Sequence, residues 1–260
     1  MPEKLNATVV GAAPEGASDA DSAAHAVREM FTSIAPRYDL LNHLLSFNVD
    51  RLWWRRTART FRAVLSRPNA RVLDLCCGTG DMAFALDRRA SDSARILGAD
   101  FSHAMLQRAQ GKSTAQVSPG HSALRWIEAD ALRLPFPDNH FDLITSAFGF
   151  RNLADYDAGL LEIVRILKPG GECGILDFGD PRGLMGRIYR IYFKQILPRV
   201  GTLISGVRGP YAYLPASVER FPPPTEMLAR MRAAGFAEAY WTPYTFGIAG
   251  LYRGKKRIAD

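Results

Sequence analysis

VLDLCCGTGD, residues 72–81, reads as an apolar strand that passes through an acid into a glycine turn and out into a helix. Gly78 and Gly80 permit the sharp turn and a close approach of backbone to a ligand. The helix starting near Asp81 offers unpaired N–H donors at its first turn. Outward from this point, short apolar runs alternate with helical spacing. Strands are expected at Arg71–Leu75, Arg95–Ala99, Leu124–Glu128, Phe141–Thr145 and Glu172–Phe178. Helices are expected between most of them, at Asp81–Arg89, Ala104–Gln110 and Tyr156–Leu167, and later at Thr225–Ala234. Strand and helix in turn imply right-handed crossovers and a parallel sheet. The last two strands, Ala237–Trp241 and Phe246–Tyr252, are separated only by a short turn containing Pro243, which suits an antiparallel hairpin. The expected fold is α/β: a doubly wound, mainly parallel seven-stranded sheet with a C-terminal antiparallel hairpin.

Three acids fall where a ligand meets such a sheet, outside the carboxyl ends of the strands. Asp74 lies in the first strand, Asp100 closes the second in ILGAD, and Asp130 follows the third in EADALRLPFPDNHFDLI, residues 128–144. Two ligands compete for this pattern. Gly78, Gly80 and Ala83 match G-x-G-x-x-G/A, and Asp100 follows about 20 residues on, which is the dinucleotide fingerprint. S-adenosylmethionine is the rival. A carboxylate at Asp74 suits the cationic amino acid end of that ligand better than a pyrophosphate. Asp81 adds negative charge at the helix start, where a phosphate would bind. Asp130 can meet an adenine amino group. A plain strand-to-helix turn with no ligand is the third reading of the two glycines.

The rest of the chain frames this core. Residues 1–21 are rich in Ala, Gly, Pro, Ser and Asp without periodicity and read as a flexible N-terminal tail. Residues 22–260 read as one domain with an N-terminal helical cap (22–67) and a helical insertion (180–223). In the cap, Val27, Met30, Phe31 and Ile34 share one helix face. Leu40, Leu41, Leu44 and Leu45 mark a second helix, and Trp54, Ala58, Phe61 and Leu65 a third. In the insertion, residues 182–206 mix apolar and basic side chains, which suits either a helix packed on the sheet or a lid at a membrane interface. No apolar run reaches the ~18 residues of a membrane span, and the start of the chain lacks a secretory pattern. Cys76, Cys77 and Cys173 form no C-x-x-C pair, so neither a metal site nor a disulfide framework is expected, and a cytoplasmic setting fits. Cys76 and Cys77 read as small packing residues. The net charge of +7 is dispersed, with small clusters around Arg55 and Lys255. It suits a solvated surface or membrane proximity, and no nucleic-acid platform accompanies it.

LDLCCGTGD, GADFSHAML, EADALRLPFPDNHFD and LKPGG together resemble class I S-adenosylmethionine methyltransferases, whose fold is Rossmann-like. FTSIAPRYDLLNHLLSFNVDRLWWR, AFGFRNLADYDAGLLEIVRILKPGG, YAYLPASVERFP and TFGIAGLYRG extend the resemblance to the ubiquinone/menaquinone biosynthesis C-methyltransferase family, over residues 25–256. The last two blocks look closer to the menaquinone branch. The resemblance implies cofactor contacts at Thr79, Asp100, Asp130 and Ala131, beside Asp74, Gly78 and Gly80. It also implies a lipophilic quinol acceptor methylated on a ring carbon. Arg151 is then the candidate for stabilising phenolate or placing a water, with a salt bridge to Asp155 as its structural alternative. Asn152 is expected to fix a substrate oxygen. Tyr38 and Asp39 are expected over the cofactor or near the acceptor. His43 is either a base or a capping residue, and Tyr213 either lines the pocket or packs in the core. Many family members have Ser where this chain has Ala147, so that contact is absent and Ser146 is its open replacement. Peripheral contact at the inner membrane face and homo-oligomerisation both stay open. So do another aromatic or lipid acceptor, an NAD-dependent oxidoreductase, and a non-catalytic cofactor-binding scaffold.

Overall fold

The computed structural model describes residues 11–12, 14, 17–35, 46, 48–115, 124–179, 181, 183, 186, 191–192 and 210–258. The first helix, α1 (Ala20–Ile34), starts at a reciprocal cap: the Asp19 carboxylate accepts the Ser22 N–H, and the Ser22 hydroxyl accepts the Asp19 N–H. Before it, Ala12 is buried and its N–H donates to the Leu153 carbonyl at 2.7 Å. The expected flexible tail to residue 21 is therefore partly ordered, because Ala12 finds a backbone partner and the helix begins earlier than 22.

Two further helices, α2 (Val49–Thr60) and α3 (Arg62–Leu65), lead into β1 (Arg71–Leu75). Then follow α4 (Asp81–Asp87), β2 (Arg95–Asp100), α5 (His103–Ala115), β3 (Arg125–Glu128), β4 (Phe141–Ala147), α6 (Tyr156–Ile166) and β5 (Leu167–Phe178). The chain ends in α7 (Pro210–Arg220), α8 (Pro224–Ala234), β6 (Phe236–Tyr244) and β7 (Ala249–Lys256). The seven strands lie in the order β3-β2-β1-β4-β5-β7-β6, with β7 antiparallel to both neighbours and the others parallel. Strand order reverses between β1 and β4, so a crevice opens at their carboxyl ends.

Alternate residues of each strand feed opposite layers. Leu73, Leu75, Ile144 and Ile175 pack with Leu160 and Ile163 of α6 and Met227 and Met231 of α8. Val72, Ile96, Leu143 and Leu176 pack on the other face with Phe61, Val64 and Leu65, and with Met82 and Leu86 of α4. Burial on both faces explains why these strands read as unbroken apolar runs.

Two sequence boundaries are corrected. The turn of the C-terminal hairpin is Thr245–Gly247, a 3-10 turn in which Phe246 has φ 57 and stands 77% exposed, so Phe246 is not in the last strand. Pro243 lies inside β6 and not in the turn; β6 is an edge strand, where a missing N–H breaks no sheet ladder. β5 starts at Leu167 and not Glu172, since Leu167 pairs with Phe141 ahead of a register shift.

Candidate active site

The crevice is built by turns that leave the strand ends. After β1 the chain enters the left-handed region at Cys76 (φ 53), Gly78 (φ 55) and Gly80 (φ 88). Gly80 has a second constraint: a Cβ there would lie 2.4 Å from the Trp126 ring. Asp100, at the end of β2, ties this turn down, accepting N–H groups from Gly78 at 2.8 Å and Ser102 at 2.9 Å. Burial pushes its carboxyl up to about 6 despite those donors. Asp74 is fully buried between β1 and β4, where the Thr145 hydroxyl donates to one oxygen at 2.8 Å. Its other oxygen is buried without a geometric hydrogen bond among the described residues. Burial pushes this carboxyl up to about 7, with the Thr145 bond acting the other way.

Thr79 is buried, and Lys112 donates to its hydroxyl and to Asp81, each at 2.9 Å. That ion pair offsets the Asp81 charge, so Asp81 weighs less against a phosphate than sequence suggests. Asp130 is exposed at the rim and accepts the Leu132 N–H at 2.9 Å; Ala131 beside it is buried. Asp74, Gly78, Thr79, Asp100, Asp130 and Ala131 all line one cleft of about 1330 Å³, open mouth included. Gly80 supports the turn from behind. α1 closes one side through Ala24 and Phe31. It is latched by Arg28, whose Nε donates to the Phe101 carbonyl at 2.6 Å and whose Nη2 meets Glu128 at 2.5 Å.

The opposite half of the cleft grows from the end of β4. Phe148 sits at φ 58, which turns its carbonyl toward both Arg151 Nη1 and Asn152 Nδ2. Arg151 is buried in a 3-10 turn, Phe150–Asn152. Its Nη1 meets Asp177 at 3.0 Å, its Nε donates to the Ser217 hydroxyl at 3.4 Å, and the guanidinium lies 5.1 Å from the Phe178 ring centre. The expected partner Asp155 is elsewhere: it caps α6, accepting N–H groups from Asp157 and Ala158. Asp177 takes the arginine because it ends β5 directly beside the turn. Nη2 of Arg151 donates to no described residue, and Arg151 lines the cleft. Asn152 also lines the cleft, its Oδ1 accepting the Tyr213 hydroxyl at 3.2 Å. Burial pushes Tyr213 up to about 12, so the phenol stays a donor.

Ser146 is buried and outside the cleft lining, whereas Ala147 lines it. Burial holds the Cys76 and Cys77 thiols well above their usual range, in keeping with packing residues. Tyr38, Asp39 and His43 lie outside the described residues, as does most of segment 182–206; within it Ile191 is 54% exposed. Sequence reasoning assigned nothing to Asp50, which is 4% exposed and lines the cleft. Its signal was available: it precedes Trp53 and Trp54 by three and four residues, an acid on an apolar helix face. An aromatic wall adjoins it, with Trp53, Phe148 and Phe178 in mutual ring contact.

The family description "ubiE/COQ5 methyltransferase family" matches residues 19–256. The chain belongs to this family. It is 49% identical over 240 residues to a demethylmenaquinone methyltransferase of Deinococcus radiodurans, covering 92% of this chain and 96% of that one. It is 50% identical to a demethylmenaquinone methyltransferase of Thermus thermophilus, over 87% of this chain and all of the relative. A ubiquinone/menaquinone biosynthesis C-methyltransferase of Geobacter sulfurreducens is 45% identical over 89% of both chains. Among solved structures, a SAM-dependent methyltransferase from Thermotoga maritima superposes with a TM-score of 0.61 at 19% identity, over 89% of this chain and all of the other. The [4+2]-cyclase SpnF superposes at 0.66 with 18% identity, over 95% and 98%. These likenesses place the fold, and the second shows that the fold alone does not fix the chemistry. The family does: the protein is a methyltransferase that depends on S-adenosylmethionine, and the nicotinamide reading is set aside.

Proposed function

We propose that the protein transfers a methyl group from S-adenosylmethionine to a ring carbon of a reduced, polyprenylated quinone precursor in respiratory quinone biosynthesis. Demethylmenaquinol is the first acceptor to test, following the names of the Deinococcus and Thermus relatives. One observation carries the reading at the level of geometry: a single cleft joins an acid-lined half at the strand ends to an aromatic half holding a buried arginine.

The acid-lined half fits the co-substrate. The buried oxygen of Asp74 that makes no geometric hydrogen bond among the described residues is an acceptor for a cationic amino group. Asp100 has remaining lone pairs for ribose hydroxyls and Asp130 for an adenine amino group, and Gly78 and Thr79 line the cleft beside them. Ala131 supplies an apolar contact for the base. Bound S-adenosylmethionine supplies an electrophilic methyl group on a sulfonium.

The aromatic half suits the acceptor. A quinol carbon becomes a good nucleophile as the neighbouring hydroxyl loses its proton, so the site must stabilise negative charge on that oxygen. Arg151, held by Asp177, Ser217 and the Phe148 carbonyl, keeps Nη2 for that oxygen. Asn152, whose Oδ1 accepts the Tyr213 hydroxyl, holds the same oxygen or its partner across the ring through its amide N–H in this reading. Trp53, Phe148 and Phe178 offer ring faces.

No helix among the described residues is long and apolar enough to cross a membrane. Peripheral contact with the bilayer that holds the acceptor is part of the same proposal. The test is incubation with labelled S-adenosylmethionine and either reduced demethylmenaquinol or the reduced ubiquinone precursor, without oxygen, with product masses read out. One added methyl on the reduced acceptor is expected. Equal rates with the oxidised quinone would overturn the quinol mechanism, and no product from either acceptor would overturn the substrate class.

A further inference from the structure

Carbon methylation of a quinol begins when its hydroxyl gives up a proton, and none of the residues so far placed in the acceptor half can take it. Arg151 is always charged and is a poor base. Tyr213, pushed up to about 12, holds its proton. The Cys76 thiol is held well above its usual range. Asp74 and Asp100 belong to the strand ends of the co-substrate half, Asp81 is engaged by Lys112, and Asp130 lies out on the rim. Of the carboxylates in the described cleft lining, one has been given no role above: Asp50.

Its placement is specific. Asp50 sits in the first turn of α2 and is 4% exposed, unusual for a helix-start acid, which normally faces water. It shares a helix face with Trp53, three residues on. Trp53 in turn contacts Phe148 at 5.6 Å and Phe178 at 6.4 Å between ring centres, and Phe178 carries the Arg151 guanidinium. Asp50 therefore flanks the aromatic wall from α2, while Arg151 flanks it from the turn after β4. The Arg51 N–H donates to Asp50 Oδ1 at 2.7 Å, which fixes the carboxylate orientation.

We propose that Asp50 is the proton acceptor for the quinol hydroxyl. This rests on the methyl-transfer reading above and assigns the remaining role in it. The Asp50 carboxylate takes the hydroxyl proton, and the ring carbon of the phenolate attacks the sulfonium methyl. A carbon–carbon bond forms as the carbon–sulfur bond breaks, and S-adenosylhomocysteine leaves. The methylated ring, now a ketone at the adjacent oxygen-bearing carbon, loses the proton of the methylated carbon to water and regains the oxygen proton from Asp50. The sum is one methyl transferred and one proton released, with no change of redox state.

The experiment compares wild type with Asp50→Asn and Asp50→Glu. Asp50→Asn should lower kcat by about 10²–10⁴-fold, the usual contribution of a positioned base. Calorimetric affinity for S-adenosylhomocysteine should stay unchanged, and Asp50→Glu should restore part of the rate. A structural role is separated by two readouts. A fluorinated quinol, already ionised at the assay pH, should lose much less rate in Asp50→Asn than the ordinary quinol. A naphthol probe bound with S-adenosylhomocysteine should show naphtholate absorbance in wild type and neutral naphthol in Asp50→Asn. Full kcat in Asp50→Asn, or an equal loss with both quinols, overturns the assignment while leaving the methylation reading intact. A wild type that methylates no quinol sinks both together.

Discussion

At the residue scale, the site works by holding groups away from their ordinary state. Asp74 and Asp100 have carboxyls pushed up to about 7 and about 6 because burial penalises their charged forms. The folded chain thus holds these protons more tightly than the unfolded chain. Their contribution to stability is present at acid pH and is lost as pH rises from about 4 through those values. The ammonium group of the ligand reverses the preference at Asp74 by stabilising its carboxylate. Affinity for S-adenosylhomocysteine should therefore rise on the order of tenfold between about pH 5.5 and pH 8, and Asp74→Asn should flatten most of that slope; calorimetry across pH checks both. Arg151 illustrates a second device. Arg151→Ala leaves Asp177 buried and unpaired, at a cost of about 3–5 kcal/mol. Arg151→Lys keeps a charge for Asp177 but loses the fork that also reaches Ser217 and is proposed to meet a substrate oxygen. It should fold, bind S-adenosylhomocysteine normally and lose about tenfold or more in kcat. Full kcat in that variant would remove Arg151 from the chemistry.

At the element scale, α1 and the first glycine turn define the co-substrate half. α1 makes few contacts with the sheet, and the Arg28 bonds to Phe101 and Glu128 hold it beside the turn after β2. Arg28→Ala should raise the apparent Kd for S-adenosylhomocysteine several-fold while changing the melting temperature little, since both partners are half exposed. Hydrogen exchange should show faster exchange confined to α1. The glycine turn is the opposite case. Gly80→Ala must adopt φ near 88 and displace Trp126, whose ring occupies the space of the new Cβ. The expected loss is about 2–4 kcal/mol, read by denaturant unfolding.

At the scale of the whole molecule, both layers of core meet at a sheet whose switch point lies at the cleft, so ligand binding and folding are linked. S-adenosylhomocysteine at about 100 times its Kd should add about 2.7 kcal/mol of stability. That corresponds to about 5–10 °C in Tm for a chain of this size. NADH should leave Tm unchanged, and a comparable rise with NADH would reopen the dinucleotide reading. Much of this architecture was legible in advance, because period and punctuation are local. The alternation from Val72 to Phe178 carried the parallel sheet, and the gap between the last strands carried the hairpin. Phe246 was misplaced because left-handed residues other than glycine and asparagine leave little trace in sequence.

The sequence by itself determined the elements, the glycine turn, the three acids that line the cleft and, through motif resemblance, the family. Each follows from residues near one another in the chain or from a pattern shared by the family. Tertiary structure alone decided the partners of buried charge. Arg151 meets Asp177 and not Asp155, because β5 returns beside β4 and brings an acid 26 positions away into contact. Asp50 lines the same cleft as Phe148 and Phe178 because α2 lays Trp53 against those rings, nearly 100 or more positions on. A charge in a low-dielectric interior is settled by whatever the fold brings within a few ångströms, and that distance is not written in sequence separation.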